Sequence, residues 1–507
     1  MQENRSYEQQ MSEHQQNQQQ NLQSDRQKER KERWKKNGAI YGMLITIGIF
    51  FCGMALYYIY YLVFVRSSVV NNSYNTRISS ESATVSRGSI YDSAGNVLAY
   101  SEEQEDGTEV RYYPYGEVFA HPIGYAKLGA AEMESSYNYS LLTSSIPIWE
   151  LLYNDIIGEK NPGNSLCTSL NASLQQYCYD LLEGYQGAVV VMEPSTGRIL
   201  AMVSRPGYDP NTIAENWDWL ISAENTSANL LNRATQGVYP PGSTFKLLTE
   251  LAYIRQYGET WQNLRYNCTG TFSYNGLTLD CHDKHVHGEV DFRYGLANSC
   301  NGIHAQMGLS LNKRDWVSMC ESFLFNQKLP IELASSVSTI SLNEVSSDWE
   351  TILTSIGQGT VTETPLLNCM ITAAIANNGV MMKPQLVDKV INAEGKLVQE
   401  TVPEAYATLM AEAEAYTLGQ FMGTVVSEGT GGGAASAYGT VAGKTGSAEY
   451  TQAGSMHAWF TGYAPMEDPK VAVTVILEGA GTGGDVAAPV AKQIFDYCLT
   501  NDVGTAD

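Results

Sequence analysis

The sequence predicts an α/β chain of the α+β type, in which an antiparallel sheet flanked by helices follows a small, mostly β module and one transmembrane helix. Three observations support this prediction. Residues 37–65 form an uncharged stretch, short β-like runs separated by turns follow it, and two strand hairpins lie at opposite ends of the remaining chain with helical patterns between them. Strands from both ends of a domain can pair into one sheet that helices then cover. We therefore divide the chain into residues 1–36, 37–65, 66–166 and 167–503.

The first 65 residues contain a polar tail and an apolar run. Residues 1–36 are rich in Gln and Asn and hold eight basic and six acidic residues. We expect this tail to be disordered, because it has too little apolar surface to bury. Residues 37–65 contain no charged residue, and about 20 apolar residues are enough to cross the hydrocarbon core. The long run and the lack of a small-x-small cleavage site disfavour the alternative of a cleaved signal peptide.

The basic cluster just before this run predicts a cytoplasmic N-terminus and an ectodomain on the outer face of the cell membrane. Residues 37–507 carry 23 basic and 48 acidic groups. Binding to nucleic acid needs a concentrated basic face, so this acidic composition argues against nucleic acid as a partner.

The ectodomain begins with a module of short strands. Within residues 66–166, β-like runs at 89–91 and 97–100 enclose a turn, and an acidic loop follows at 102–107. The main domain then shows strand hairpins at 187–203 and 457–477. Its helical patterns lie at 171–182, 364–377, 404–428 and 486–499.

The main domain is organised around the stretch Tyr239-Pro240-Pro241-Gly242-Ser243-Thr244-Phe245-Lys246. The prolines and the glycine force a sharp entry into a helix, on which residues three apart share a face. The Ser243 hydroxyl and the Lys246 amine are therefore expected side by side. A neutral lysine can take the proton of a serine nucleophile, and burial, a second cation or a helix start would each lower its pKa. From this motif alone, an ordinary helix with a solvated lysine remains the alternative.

Two further stretches follow in the order and spacing of one reaction site. Ser299-Cys300-Asn301 begins 56 positions after Ser243, and Lys444-Thr445-Gly446 begins 145 positions after Ser299. The third stretch is bounded by a glycine-rich loop and continues into Ser447, which is typical of an edge strand.

Here the chain resembles the penicillin-recognising acyl-serine transferases, and specifically the class B penicillin-binding proteins. The resemblance extends from about Arg87 to the C-terminus. Further motifs that resemble the family are Arg87-Gly88-Ser89-Ile90-Tyr91-Asp92, Ile356-Gly357-Gln358-Gly359, Thr364-Pro365, Ala376-Asn377-Asn378-Gly379 and Tyr463-Ala464-Pro465.

The resemblance implies a peptidoglycan D,D-transpeptidase that penicillins inhibit covalently and that needs no cofactor. Ser243 is then the nucleophile and Lys246 the base, while Ser299 passes a proton to the leaving amine, Asn301 orients the substrate, and Lys444 supplies a cation. Thr445, Gly446 and Ser447 bind substrate, and the backbone amides of Ser243 and Ser447 hold the oxyanion.

The resemblance also implies the partners. These are peptidoglycan stem peptides, β-lactam antibiotics and a SEDS-family glycosyltransferase in the membrane. A D,D-carboxypeptidase, a β-lactamase and a non-catalytic penicillin-binding scaffold are the alternatives, because the same three motifs serve hydrolysis and binding as well. The proximal module and the absence of a sequence-evident deacylating carboxylate argue against the β-lactamase.

A loop between the first two motifs concentrates thiols and imidazoles, namely Cys268, Cys281, His282, His285 and His287, around Asp283. Cys268, Cys281 and His287 are candidate zinc ligands, although their spacing matches no familiar zinc motif. A disulfide between Cys268 and Cys281 and two free thiols are the other possibilities. Cys300, inside the second motif, is expected to be a packed thiol.

Overall fold

The computed structural model describes residues 2–61, 84–450 and 455–504. The chain divides into two compact units, one ending at residue 72 and the other beginning at residue 73. The end of the predicted span and the first part of the predicted proximal module, residues 62–83, lie outside the described residues.

The described residues of the first unit form the helix Gln2–Tyr60. Its segment Ile40–Tyr60 is long and apolar enough to cross a membrane. The helix also includes the polar tail, so the prediction of disorder for residues 1–36 differs from the structure. Gln, Glu, Lys and Arg are good helix formers, and no Gly or Pro interrupts residues 2–36. The helical propensity of this tail therefore counts for more than its lack of apolar surface.

The proximal module is a mixture of strands and helices, where the sequence predicts mostly strands. Its six-stranded sheet has the order 397–400, 387–391, 165–168, 90–91, 97–103 and 109–112. The first two strands come from the region that the sequence assigns to the main domain. Its helices are Gly116–Phe119, Ala120–Ile123, Glu132–Ser136, Asn138–Leu141 and Ile148–Ile157. Module and main domain thus share a sheet, and this sheet extends across the predicted boundary at residue 166.

The motif at 87–92 has a structural role in this module. Arg87 and Arg111 both bond the buried Glu134 carboxylate, at 2.6 and 2.8 Å. A Cβ on Gly88 would lie 1.8 Å from the carbonyl oxygen of Asn164, so only glycine fits between the two chains. Asp92 accepts from the backbone N–H groups of residues 94, 96 and 172 and thereby ties the turn to the main domain.

The main domain contains the predicted antiparallel sheet. Its strand order is Ala442–Glu449, Met456–Ala464, Val471–Leu477, Gly187–Met192 and Ile199–Arg205. All four pairings are antiparallel, and the strand with the third motif lies at the edge. Both predicted hairpins are confirmed.

Helices cover both faces of this sheet. Alternate residues of a strand point to opposite faces, and so Val190 packs into the core with Phe245, whereas Val189 and Val191 pack into a second core with Phe495. The second face is covered by Ala172–Leu181 and Ala488–Thr500. The first face carries the fully buried Pro365–Ala376, together with Lys246–Tyr257, Phe292–Ala297, Asn301–Ser310, Lys313–Ser322, Asp348–Ser355 and Glu412–Ser427. The predicted helix at 404–428 is a strand, Ala405–Thr408, followed by a shorter helix.

Candidate active site

Ser243 lies in a tight turn, Gly242–Phe245, that leads directly into the helix Lys246–Tyr257. Gly242 has a φ of +55°, which favours glycine, and its amide donates to the carbonyl of Gly357 at 2.9 Å. The indole of Trp459 donates to the carbonyl of Pro240 at 3.1 Å. These bonds from two distant segments hold the turn, and Ser243 is half-buried at the wall of a cavity.

Lys246 is fully buried and its amine is surrounded by acceptors. Nζ donates to the Ser299 carbonyl at 2.8 Å, to Ser299 Oγ at 3.2 Å and to Asn301 Oδ1 at 2.7 Å. Burial lowers the pKa of Lys246 to about 8, because the charged form loses its hydration. About a tenth of such a lysine is neutral at pH 7, so it can act as a base.

Ser299 connects Lys246 to Lys444. Lys444 is also fully buried, and its Nζ donates to Ser299 Oγ at 3.1 Å and to the Thr445 carbonyl at 2.9 Å. Burial and the charge of Lys246 together hold the pKa of Lys444 well below its usual range. Ser299 has a φ of +53°, an unfavourable conformation for a residue with a side chain. Such strain is typical of functional sites, and here it turns one hydroxyl towards two amines.

The third motif forms the edge strand beside this group. Thr445, Gly446 and Ser447 lie within Ala442–Glu449, whose register pairs Ser447 with Ala458. Thr445 Oγ1 bonds Thr430 Oγ1 at 2.6 Å, and Ser447 Oγ accepts from the Gly483 amide at 3.1 Å. An ideal Cβ on Gly446 would contact the Pro241 carbonyl at 3.0 Å, so the strand passes close to the Ser243 turn.

One cavity of about 1050 Å³ brings the three motifs together. Its lining includes Ser243, Ser299, Asn301, Thr445 and Ser447. Lys246 and Lys444 lie beneath this surface, bonded to the same Ser299 hydroxyl. The structure therefore unites all the predicted site residues of the three motifs, and the arrangement suits a serine nucleophile served by buried amines.

The sequence interpretation overlooked a buried pair behind Lys246. Glu250, four residues later on the helix, lies 3.2 Å from His304 Nε2, and His304 Nδ1 lies 2.7 Å from the Cys300 carbonyl. Burial raises the pKa of Glu250 well above and lowers that of His304 well below their usual values. A neutral Glu250 then donates to Nε2, while the Nδ1–H of His304 donates to the carbonyl within the second motif. The position of an acid one turn after Lys246 was the available signal.

A thiol cluster lies on the other side of the second motif. Cys281 Sγ is 3.7 Å from Cys268 Sγ and 3.9 Å from Cys300 Sγ, and Cys268 Sγ is 3.3 Å from His287 Nδ1. All four ligand atoms lie within 4.8 Å of one another. Asn301 connects this cluster to Lys246. Its Nδ2 donates to the carbonyl of Asp280, the residue before Cys281, at 2.8 Å, and its Oδ1 accepts from Lys246 Nζ.

This cluster fits a zinc ion. A tetrahedral site with Zn–S bonds of about 2.3 Å and Zn–N bonds of about 2.0 Å separates neighbouring ligand atoms by about 3.5–3.8 Å. Hydrogen bonds, above all from Cys300, lower the pKa of Cys281, and the bond to Cys281 is the main reason why the pKa of His287 is raised. These shifts favour one thiolate in the cluster, and binding of zinc would displace the remaining protons from the other ligands.

The structure contains no disulfide at these cysteines. Each of the nine cysteines is a free thiol, so the possible Cys268–Cys281 disulfide is not formed. Cys300 is buried as expected. It also adds a fourth possible metal ligand to the three that the sequence predicts, Cys268, Cys281 and His287. Among the described residues, His282 and His285 remain outside this set.

Two family models match this chain. Residues 187–496 match the penicillin-binding protein transpeptidase domain, and residues 87–166 match the penicillin-binding protein A dimerisation domain.

Named relatives and solved structures agree with these matches. The peptidoglycan D,D-transpeptidase PbpA of Mycolicibacterium smegmatis is 30% identical over 86% of this chain and 94% of its own length. The D,D-transpeptidase MrdA of Acinetobacter baumannii is 32% identical over 77% of this chain and 66% of its own length. The penicillin-binding protein A of M. tuberculosis, solved as a ceftriaxone acyl-enzyme complex, has a TM-score of 0.75 at 30% identity and covers 82% of this chain and 99% of its own.

Proposed function

Because this chain belongs to the class B penicillin-binding proteins, we infer that it is a peptidoglycan D,D-transpeptidase that works through an acyl-enzyme and that β-lactams acylate. The observation that carries the residue assignments is the shared Ser299 hydroxyl, which accepts from both buried lysines at the wall of the cavity that contains Ser243.

Acylation begins with Ser243. Its oxygen attacks the carbonyl between the two terminal D-alanines of a donor stem peptide, and the neutral Lys246 amine takes the hydroxyl proton. The backbone amides of Ser243 and Ser447 stabilise the oxyanion of the tetrahedral intermediate. When the C–N bond breaks, the proton passes through Ser299 to the leaving amine, and D-alanine departs from a Ser243 ester.

The two buried amines have different duties in this scheme. Lys246 exchanges a proton in each step, whereas Lys444 orients Ser299 and, with Thr445, attracts the terminal carboxylate of the donor or of penicillin. Asn301 accepts from Lys246 through Oδ1 and donates to the Asp280 carbonyl through Nδ2, so its side chain is fixed at the edge of the cavity.

The second half-reaction forms the cross-link. The amine of a neighbouring stem peptide attacks the ester, a new amide forms, and the Ser243 oxygen recovers its proton. If water attacked in place of the amine, the protein would be a carboxypeptidase. If neither water nor the amine attacked, it would be a non-catalytic penicillin-binding scaffold. Slow release of bound penicillin, over many minutes, is expected for the transpeptidase, whereas release within seconds would indicate a β-lactamase.

The test of the nucleophile is labelling with a fluorescent penicillin. We expect the wild type to be labelled covalently and Ser243→Ala to remain unlabelled, because alanine has no hydroxyl oxygen with which to form the ester. Ser341→Ala, which changes an exposed serine of the same domain, is the matched control and should be labelled as the wild type is. Full labelling of Ser243→Ala would disprove the assignment.

The membrane setting supports the same function. The protein is a single-pass membrane protein, and the basic cluster ahead of Ile40–Tyr60 favours an outer-face ectodomain, where peptidoglycan lies. We propose a SEDS-family glycosyltransferase as its membrane partner, since a transpeptidase needs newly made glycan strands. Protease protection in intact cells tests the orientation, and co-purification from membranes tests the partner.

For the thiol cluster we propose a structural zinc ion held by Cys268, Cys281, His287 and Cys300. Bound Zn²⁺ would supply charge compensation for the thiolates and a link between three chain segments. Metal analysis of the purified full chain should give about one zinc per chain, and Cys281→Ser should abolish it. Cys167→Ser, which changes a half-buried cysteine outside the cluster, should retain it. A zinc content near zero in the wild type would remove this proposal.

A further inference from the structure

The helix Ile148–Ile157 of the proximal module exposes a large apolar surface. Six of its side chains are between 45% and 83% exposed, and none of its ten residues is buried. The six are Ile148, Trp149, Leu152, Tyr153, Ile156 and Ile157. Scattered exposed apolar residues are ordinary on a soluble surface, but a contiguous group of this kind marks an interaction site.

These side chains share one face, and that face points away from the protein. At about 100° per residue, positions 148, 149, 152, 153, 156 and 157 cover one half of the helix. Leu151 and Asn154, on the opposite half, are only partly exposed, and Asn154 Nδ2 donates to Asn161 Oδ1 at 3.1 Å. A helix of a soluble domain normally turns its apolar face inward. Here the polarity is reversed, so the apolar face needs a partner outside this unit.

The location of the helix indicates which partner it meets. Asn161 Nδ2 donates to Asp155 Oδ1 at 3.0 Å, and the strand Asn161–Pro162 pairs in parallel with Val85–Ser86. Val85 lies 25 positions after Tyr60, where the described apolar helix ends. The first described strand of the second unit therefore pairs beside this helix and is joined to the apolar helix by a tether of that length.

We propose that the outward face of this helix lies in the lipid interface of the membrane. Trp149 and Tyr153 combine an apolar ring with a polar atom, and such residues concentrate where acyl chains meet headgroups. Glu150 and Asp155 lie at the two margins of this face, and no basic residue occurs between 148 and 157. Attraction to anionic headgroups is therefore not the source of binding, and the helix should enter zwitterionic lipid at least as well as anionic lipid. This inference is independent of the transpeptidase function.

The test uses the full chain in nanodiscs that hold a single copy. Acyl chains brominated in phosphatidylcholine quench the fluorescence of an indole that enters the lipid. We expect bromolipid to quench a fraction of the tryptophan emission of the wild type. This quenched fraction should be smaller in Trp149→Phe, which lacks the indole. Trp219→Phe removes an exposed indole of another helix and should leave the quenched fraction unchanged. Equal quenching in the wild type and Trp149→Phe would overturn the proposal.

A second variant separates lipid from protein occupants. Leu152→Glu with Ile156→Glu puts two charges on the face and should reduce the quenching of Trp149 at least several-fold. Val345→Glu, at an exposed loop position, is the matched control and should not change it. Undiminished penicillin labelling shows that each variant is folded. If Trp149 is shielded only in discs that hold two copies, the occupant is a second chain and the lipid proposal is wrong.

Discussion

The second motif separates a buried pair of amines from a cluster of thiols, and the comparison between them shows how this site is built. On one side, Ser299 and Asn301 contact the amine of Lys246, and Ser299 also contacts Lys444. On the other side, Cys300 contacts the Cys281 thiol. Ser299 has a positive φ, Cys300 precedes the helix Asn301–Ser310 and Asn301 begins it, so these three residues serve both clusters.

The two clusters respond differently to the burial of their polar groups. The amines are desolvated, which lowers the pKa of Lys246 and makes it a usable base. The thiols are hydrogen bonded to one another and to His287, which lowers the pKa of Cys281 and prepares it for a cation. We infer that the amine cluster performs chemistry and that the thiol cluster supports it. Mutations should therefore separate activity from stability.

The largest effect is expected from removing the base. Lys246→Met should reduce the rate of acylation by fluorescent penicillin by on the order of 10²–10⁴-fold, because no group then accepts the Ser243 proton. Its thermal unfolding midpoint should be unchanged or raised, since a buried amine is lost. Lys389→Met, at an exposed lysine, should acylate normally. A fast Lys246→Met enzyme would show that another group is the base.

The pH dependence sharpens the same point. Only neutral Lys246 accepts a proton, and its pKa is lowered to about 8. The acylation rate should therefore rise as pH increases through 8, by about tenfold between pH 7 and pH 9. Stopped-flow measurement with a chromogenic β-lactam tests this expectation. A rate that is flat across this range would mean that Lys246 is neutral throughout or is not the base.

Disrupting the thiol cluster should lower the thermal stability of the protein. Cys281→Ser, or a strong chelator with the wild type, is expected to lower the unfolding midpoint by roughly 5–10 °C, because a zinc link between three segments is lost. Differential scanning calorimetry checks this, with Cys167→Ser as the control. An unchanged midpoint after zinc has been removed would mean that the cluster does not stabilise the fold.

The smallest effect is expected at the pair behind Lys246. Glu250→Gln keeps the shape and a donor to His304 and removes no charge, since the pKa of Glu250 is raised well above its usual value. The acylation rate should change by about fivefold or less, which corresponds to about 1 kcal/mol. The midpoint of the pH profile should stay in place. A downward shift of about one pH unit would reveal that Glu250 is ionised and stabilises the Lys246 cation.

Much of this molecule was predictable because its signals are local. Apolar length predicts the span at Ile40–Tyr60, and alternation with turns predicts both hairpins of the central sheet. The three motifs consist of adjacent residues, so the residues that the structure brings together around the cavity could be named in advance. The polar tail is harder to predict, because its low hydrophobicity predicts disorder while its high helix propensity agrees with the helix Gln2–Tyr60.

Other features depend on contacts between distant segments. The strands 387–391 and 397–400 join the sheet of the proximal module through pairing with residues 165–168, and no local pattern announces such a partner. Cys300 seemed to be only a packed thiol, because its neighbours Cys268 and Cys281 lie 32 and 19 positions away.

By itself, therefore, the sequence determined the apolar span, the alternating strands and the three motifs that the structure brings to one cavity, since each is a property of consecutive residues. Only the tertiary structure decided the rest: the depth at which Lys246 and Lys444 are buried, the positive φ that points Ser299 at both, and the four donors of the thiol cluster. A pKa and a metal geometry arise from surroundings in three dimensions, and those surroundings exist only when remote parts of the chain have packed together.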